Sequence, residues 1–189
     1  MEELQELKER LSQERPAPWE ALPDLALYMD QLISYMPRQL IHFEESENLT
    51  SAMVNNYIKD GLLPRAEGKR YGRTHLAYLT AICALKQVLS VREMKTLIQG
   101  GTRGREPEPL YDYFRRELDH ALNETAHGLE KDLPQKDLPR LALTLALRSY
   151  VDKLACQRIL TLMQEERGEA ASADKKAGKG KDKNKDKIE

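Results

Sequence analysis

The stretch 50–76, TSAMVNNYIKDGLLPRAEGKRYGRTHL, decides how this chain is read. Residues three and four apart on a helix share a face. Between Ser51 and Asp60 that spacing gathers Met53, Val54, Tyr57 and Ile58 on one side and Ala52, Asn55, Asn56 and Lys59 on the other. Thr50 suits an N-cap, since its hydroxyl can accept from an unpaired backbone N–H of the first turn. Gly61 suits the left-handed residue that closes a helix, and Pro64 keeps the helix from resuming. The expectation is a short amphipathic helix, a stop, a basic loop or small wing tipped by Gly68, and a second helix over 73–88.

Two adjacent asparagines are poor helix formers, and a purely structural helix would gain from Ala, Glu or Lys there. Such a local conflict hints at a task. An amide donates and accepts at once, so Asn55 and Asn56 could read an adenine edge in the major groove, with Lys59 on phosphate. Arg65, Lys69, Arg70 and Arg73 then place four cations in nine residues. A basic wing of this kind can lie against phosphates or enter the minor groove. Tyr71 either packs the wing on the core or offers its hydroxyl to phosphate. His75 reads as a local hydrogen-bonding or packing residue.

The chain as a whole frames this reading. Its 189 residues fit one domain with extensions, with 40% apolar residues and a formal net charge of -1. The charge is unevenly spread. Residues 1–50 carry 11 acidic and 4 basic side chains, and residues 51–105 carry 10 basic and 3 acidic, a net of +7. Such a local excess is the electrostatic footprint expected of a nucleic-acid surface, or of a solvated helical face. Cys83 and Cys156 stand alone in apolar helical patterns, which argues for buried thiols in a reducing compartment over a disulfide framework. MEELQELKER at the start has neither the basic nor the apolar region of a signal peptide, and no apolar run approaches a membrane span. The expected location is cytoplasmic, with no membrane partner.

Helical spacing is also visible at Leu4, Leu7 and Leu11. It recurs over 20–36, where Leu22, Leu25, Ala26, Met29, Leu32, Ile33 and Met36 form one broad side. RQLIHFEES, 38–46, reads as a short helix with Leu40, Ile41 and Phe43 inward. Ser90-Val-Arg-Glu93 is a capping-box pattern that opens a helix ending at Gly100–Gly101. GGTRGREPEP is a linker, and Pro109 opens the next helix, over 109–130. A long apolar-rich helix spans 138–166 and must be well covered, by the preceding region, by the 20–36 helix or by a second copy. The segment 168–189 has seven lysines and no aromatic residue. It reads as a disordered tail, a solubilising end that can add weak, salt-sensitive attraction to nucleic acid.

The order of helix, GLLP, wing with Lys69-Arg70-Tyr71, helix beginning Thr74-His75-Leu76 and short helix capped by SVREM resembles the winged helix-turn-helix of MerR-type bacterial regulators. SAMVNNYIKDGLLP and GKRYGRTHLAYLTAICALKQVLSVREMKTLI are similar, more closely, to an uncharacterised family of small proteins from Firmicute bacteria, over about residues 20–150. The MerR-like part covers 38–99. The resemblance implies an all-α fold with a minimal β wing, Met53–Asp60 as the recognition-type helix, Lys69 at the place of the wing arginine and Tyr71 at that of the wing tyrosine. Asn55 and Asn56 stand where the relatives usually have Arg and Tyr, and Ala52 where another Arg is common. The base or phosphate pattern read would therefore differ from theirs.

The implied organisation is a charged N-terminal extension (1–19), the MerR-like winged region with its preceding helix (20–106), a C-terminal helical region that packs or dimerises (107–167) and the tail (168–189). Leu110, Phe114, Leu118 and Leu122, or the 141–163 segment, could line a homodimer interface. Glu117-Leu-Asp-His120 and Glu124-Thr-Ala-His127 repeat an E-x-x-H spacing, but both lie on one helix and the later helix offers only Asp152 as a further inward carboxylate. Salt links and polar caps explain them better than a metal. No phosphate-binding glycine motif and no nucleophile elbow appear. The expectation is no enzyme, no cofactor and no metal. The favoured function is a sequence-specific DNA-binding transcription regulator acting on double-stranded DNA through Asn55, Asn56, Lys59, Arg65, Lys69, Arg70, Tyr71 and Arg73. The alternative is a helical protein-interaction or effector-binding module that keeps the fold without specific DNA binding, with the effector unknown.

Overall fold

The computed structural model describes the backbone of residues 2–43, 48–102, 104–130 and 133–182, and the side chains of those residues up to Glu166. Among the described residues the fold is all-α, with two isolated β-bridges and no named strand. The helices are α1 (Glu2–Gln13), α2 (Met29–Tyr35), α3 (Ser51–Lys59), α4 (Arg73–Leu85), α5 (Val91–Thr102), α6 (Pro107–Gly128) and α7 (Leu138–Asp182). Short 3-10 turns occupy Trp19–Ala21, Met36–Arg38 and Gln135–Asp137. The chain forms two compact units, Met1–Ala146 and Leu147–Glu189.

In the first unit α4 is the central helix. His75, Leu76, Ala77, Leu79, Thr80, Ile82 and Cys83 are all buried on it. Its neighbours include α6 and the Met36–Arg38 turn, while α2 lies against α3. Leu22, Leu32, Leu62, Leu76, Leu79 and Ile82 are among the most completely buried side chains. Fully burying one leucine stabilises a fold by about 1.5–3 kcal/mol, so these residues dominate the hold on α3 and α4. α6 carries α1, α4, α5 and the Trp19–Ala21 turn on its sides. Tyr111 anchors it from within, its hydroxyl donating to the carbonyl of Ala17 at 2.9 Å. α1 contains no buried residue. Polar contacts hold the α1 end of the chain: Lys8 donates to the carbonyl of Leu129, and Arg15 pairs with Asp119 and donates to Asn123 on α6.

The continuous helix expected over 20–36 is not formed. Only 29–35 is α-helical, and 22–28 is irregular, bending at 22, 24 and 25 before Leu27 forms a β-bridge. Pro23 cannot donate in a helix, and Leu27 pairs its backbone with Tyr71 in both directions at 2.9 Å. Leu25, placed inward by the helical spacing, is 78% exposed. The short helix expected over 38–46 is replaced by the Met36–Arg38 turn and an irregular segment, and residues 44–47 lie outside the described residues. Phe43 is 64% exposed, with the guanidinium of Arg10 4.7 Å from its ring centroid. The chain joining α2 to α3 therefore runs from Met36 to Thr50, far longer than the turn of a compact helix-turn-helix.

The supposed linker after α5 is short. α5 continues to Thr102 and α6 already begins at Pro107, whose missing N–H costs nothing at a first helical position. The α7 backbone stays helical to Asp182, into the lysine-rich segment whose composition predicts a disordered tail.

Candidate nucleic-acid interface

The interface starts from the cap of α3. Thr50 Oγ1 accepts from the backbone N–H of Met53 at 3.3 Å. Val54 and Tyr57 are buried, Met53 and Ile58 are half-buried, and Ala52, Asn55, Asn56 and Lys59 are exposed. The helix thus turns its amides and its lysine to solvent. It closes at Gly61, whose φ of 72° suits glycine, and the N–H groups of Leu62 and Leu63 return to the carbonyl of Tyr57 at 2.9 and 3.1 Å. Leu62 and Leu63 are buried, so the GLLP stop is also an anchor.

The basic loop is a tight hairpin. Glu67 and Arg70 exchange backbone hydrogen bonds at 3.0 and 3.3 Å. Gly68 and Lys69, between them, have φ values of 55° and 62°. Positive φ at both central residues is the requirement of the type I′ turn, whose twist matches paired strands. Lys69 therefore sits exposed at the tip, in a conformation that side chains other than Gly, Asn and Asp rarely adopt. The stem is fixed from two sides. Tyr71 pairs with Leu27, and the His75 imidazole accepts from the Gly72 N–H at Nδ1 and donates to the Arg65 carbonyl from Nε2, both at 3.2 Å. The two bonds together select the tautomer protonated at Nε2.

The eight residues singled out from sequence divide into two groups. Asn55, Asn56, Lys59, Arg65, Lys69 and Arg70 are exposed. Arg70 is partly engaged, donating to the Tyr28 hydroxyl at 2.9 Å with its guanidinium 5.0 Å from the ring centroid. Tyr71 and Arg73 are engaged within the fold. Tyr71 is buried, meets His75 edge-on at 5.4 Å, and burial pushes its phenol up from the ordinary value. Arg73 donates to the carbonyls of Leu22 at 3.0 Å and Glu20 at 3.5 Å, tying the Trp19–Ala21 turn to the start of α4.

Two further residues join this surface. Tyr28 presents its ring and hydroxyl beside Arg70 and is exposed. Lys95 of α5 is exposed near the end of α3, its Nζ 3.8 Å from where a side chain on Gly61 would begin. Lys95 belongs to the basic segment 51–105, but only the packing of α5 shows that it lies beside α3.

The other chemical candidates do not assemble. His120 and His127 are exposed, and His127 Nδ1 contacts the carbonyl of Asn123 at 2.7 Å. Among the described residues no group of three or more His, Cys, Asp and Glu side chains could hold a metal, and no helix is long and apolar enough to cross a membrane. Leu110, Phe114, Leu118 and Leu122 split between two cavities. The first two line an apolar groove of about 250 Å³ with α4 and α5, and the last two line a larger cavity of about 630 Å³ under α1.

No curated protein and no solved structure matches the chain. The profile of a family described as a domain of unknown function, DUF1836, matches residues 17–114, from before the Trp19–Ala21 turn to the first two turns of α6. That span is just over half of the chain and contains α3, the hairpin and α4 entire, and the protein belongs to the DUF1836 family.

Proposed function

We propose that the protein is a sequence-specific DNA-binding transcription regulator of the cytoplasm, with the Thr50–Leu76 region used in the manner of a MerR-type winged helix-turn-helix. The single observation that carries this reading is the joint exposure of Asn55, Asn56 and Lys59 on one face of a helix whose other face is core. α3 enters the major groove, where the two amides can each pair bidentately with an adenine edge. Lys59, Arg65, Lys69 and Arg70 meet phosphates, Lys69 from the tip of a hairpin held by His75 and Leu27. Tyr71 acts by positioning that hairpin, and Arg73 by tying the Trp19–Ala21 turn to the start of α4. Lys95 adds a cation at the far end of α3.

A homodimer would pair two such readers on a two-fold symmetric site. Leu147, Tyr150, Val151 and Leu154 fall at helical i, i+3, i+4 and i+7 positions of α7 and are 48–59% exposed, the pattern of a helix face made for another helix. The same face supports the second reading, a helical protein-interaction module without specific DNA binding.

Selection of genomic fragments by the purified protein at near-physiological salt, followed by footprinting, separates the two. The expected result is a discrete footprint that disappears in N55A/N56A. Binding that ignores sequence and persists in that variant would overturn the regulator reading.

A further inference from the structure

The larger cavity shares no lining residue with the proposed DNA face and is walled by four separated parts of the first unit: the end of α1 with the residues after it, the segment 38–43, α4 and α6. Its volume of about 630 Å³ falls within the range of small-molecule sites. The wall is apolar along Ile41, Ala84, Leu118 and Leu122, and burial pushes the Cys83 thiol up, so this side carries no charge.

The charged groups at the mouth are unequal. Glu14 is held by Arg10 at 2.6 Å, and Arg15 is spent on Asp119, Asn123 and the carbonyls of Leu11 and Glu14. Arg38 is exposed at the rim, with no carboxylate in ion-pair reach among the described residues. A cavity apolar along one side, with Gln13, Gln39 and Gln87 on others and at its edge a guanidinium that meets no carboxylate among the described residues, selects a ligand with an apolar body and one negative head, since a fork of donors matches a carboxylate.

We propose that this cavity is a binding site for a small amphipathic monocarboxylate, its anionic head on Arg38 and its apolar chain along Ile41, Ala84, Leu118 and Leu122. Cys83 and Ala84 place α4 itself in the cavity wall. A bound carboxylate therefore touches the helix that follows the basic hairpin, and through it alters DNA affinity. That last consequence alone rests on the regulator reading; binding itself does not.

The test uses the full chain and three probes: octanoate, 1-octanol and inorganic phosphate. Calorimetric titration is expected to show octanoate binding at least tenfold tighter than either of the others. Arg38→Ala should weaken octanoate at least tenfold, and Leu118→Trp should abolish it by filling the chamber. Amide chemical shifts of the unmutated protein guard against a variant that fails to fold, with changes expected around Ile41, Ala84 and Leu122. The proposal is overturned by no octanoate binding, by equal binding in R38A, by equal binding of 1-octanol or phosphate, or by shifts centred elsewhere. Titrating DNA with and without octanoate is a separate arm. If DNA binding fails altogether, the calorimetry still decides the site; if octanoate fails to bind, the footprint still decides the reader.

Discussion

His75 Nε2 stands 3.2 Å from the carbonyl oxygen of Arg65, so the first turn of α4 grips the near end of the basic hairpin. The same ring accepts from Gly72, and its edge contact with Tyr71 completes a clamp built from one side chain. His75→Ala should remove two hydrogen bonds worth about 1 kcal/mol each. Urea denaturation is expected to show that loss, and amides of 67–72 should exchange faster while those of α6 do not.

Asn55→Ala/Asn56→Ala is expected to move stability and binding in opposite directions. Replacing two exposed helical asparagines by alanine should stabilise α3 by about 1 kcal/mol in total. The melting temperature should rise while the footprint vanishes. A variant that merely misfolds would lose both.

Much of this region is legible in the sequence. The Thr50 cap, the buried Val54 and Tyr57, the glycine stop and the Ser90–Glu93 capping box all rest on interactions between residues a few positions apart. Local spacing is what a single sequence reports. The non-helical course of 22–28 rests on Leu27 meeting Tyr71, and the separation of those two residues leaves no periodic trace. The apolar spacing of Leu22, Leu25, Ala26 and Met29 fitted a helix, yet Leu25 faces solvent. The roles of Arg73 and Lys95 depend on which carbonyl or helix end comes near, again a tertiary matter. The carboxylate cavity was invisible for the same reason: its wall comes from four pieces of chain.

Lys69→Gly tests the hairpin tip. A non-glycine residue in the left-handed region is disfavoured by about 1 kcal/mol, so glycine should leave the fold as stable or more so. DNA binding should weaken alike on many sequences. The slope of log affinity against log salt should shrink by about 0.9, the signature of one lost phosphate contact.

Tyr111 predicts the alkaline limit of the fold. Burial pushes its phenol up to about 12, against an ordinary value of about 10. The folded state favours the neutral phenol, so this stabilisation is complete below pH 10 and falls away as pH rises from about 10 to 12. Chemical denaturation at pH 9 and pH 11 should show a drop that Tyr111→Phe reduces. At pH 9 the same variant should lose about 1 kcal/mol with the bond to Ala17.

Leu147→Glu with Leu154→Glu should affect assembly and spare the first unit. Sedimentation is expected to show a species of twice the chain mass for the parent and a monomer for the variant. The α3–α4 core should keep its thermal transition, since both substituted residues are exposed and lie in the second unit.

The pairing of Leu27 with Tyr71 is made by backbone atoms alone. It fixes where the hairpin stands while remaining indifferent to what the tip carries. Residues 67–70 can therefore be exchanged as a cassette, provided the turn keeps two residues able to hold positive φ. A one-residue insertion would break the register and aim the tip elsewhere. The scaffold separates aim from content: the exposed tip can change in charge and chemistry with no repacking of the interior.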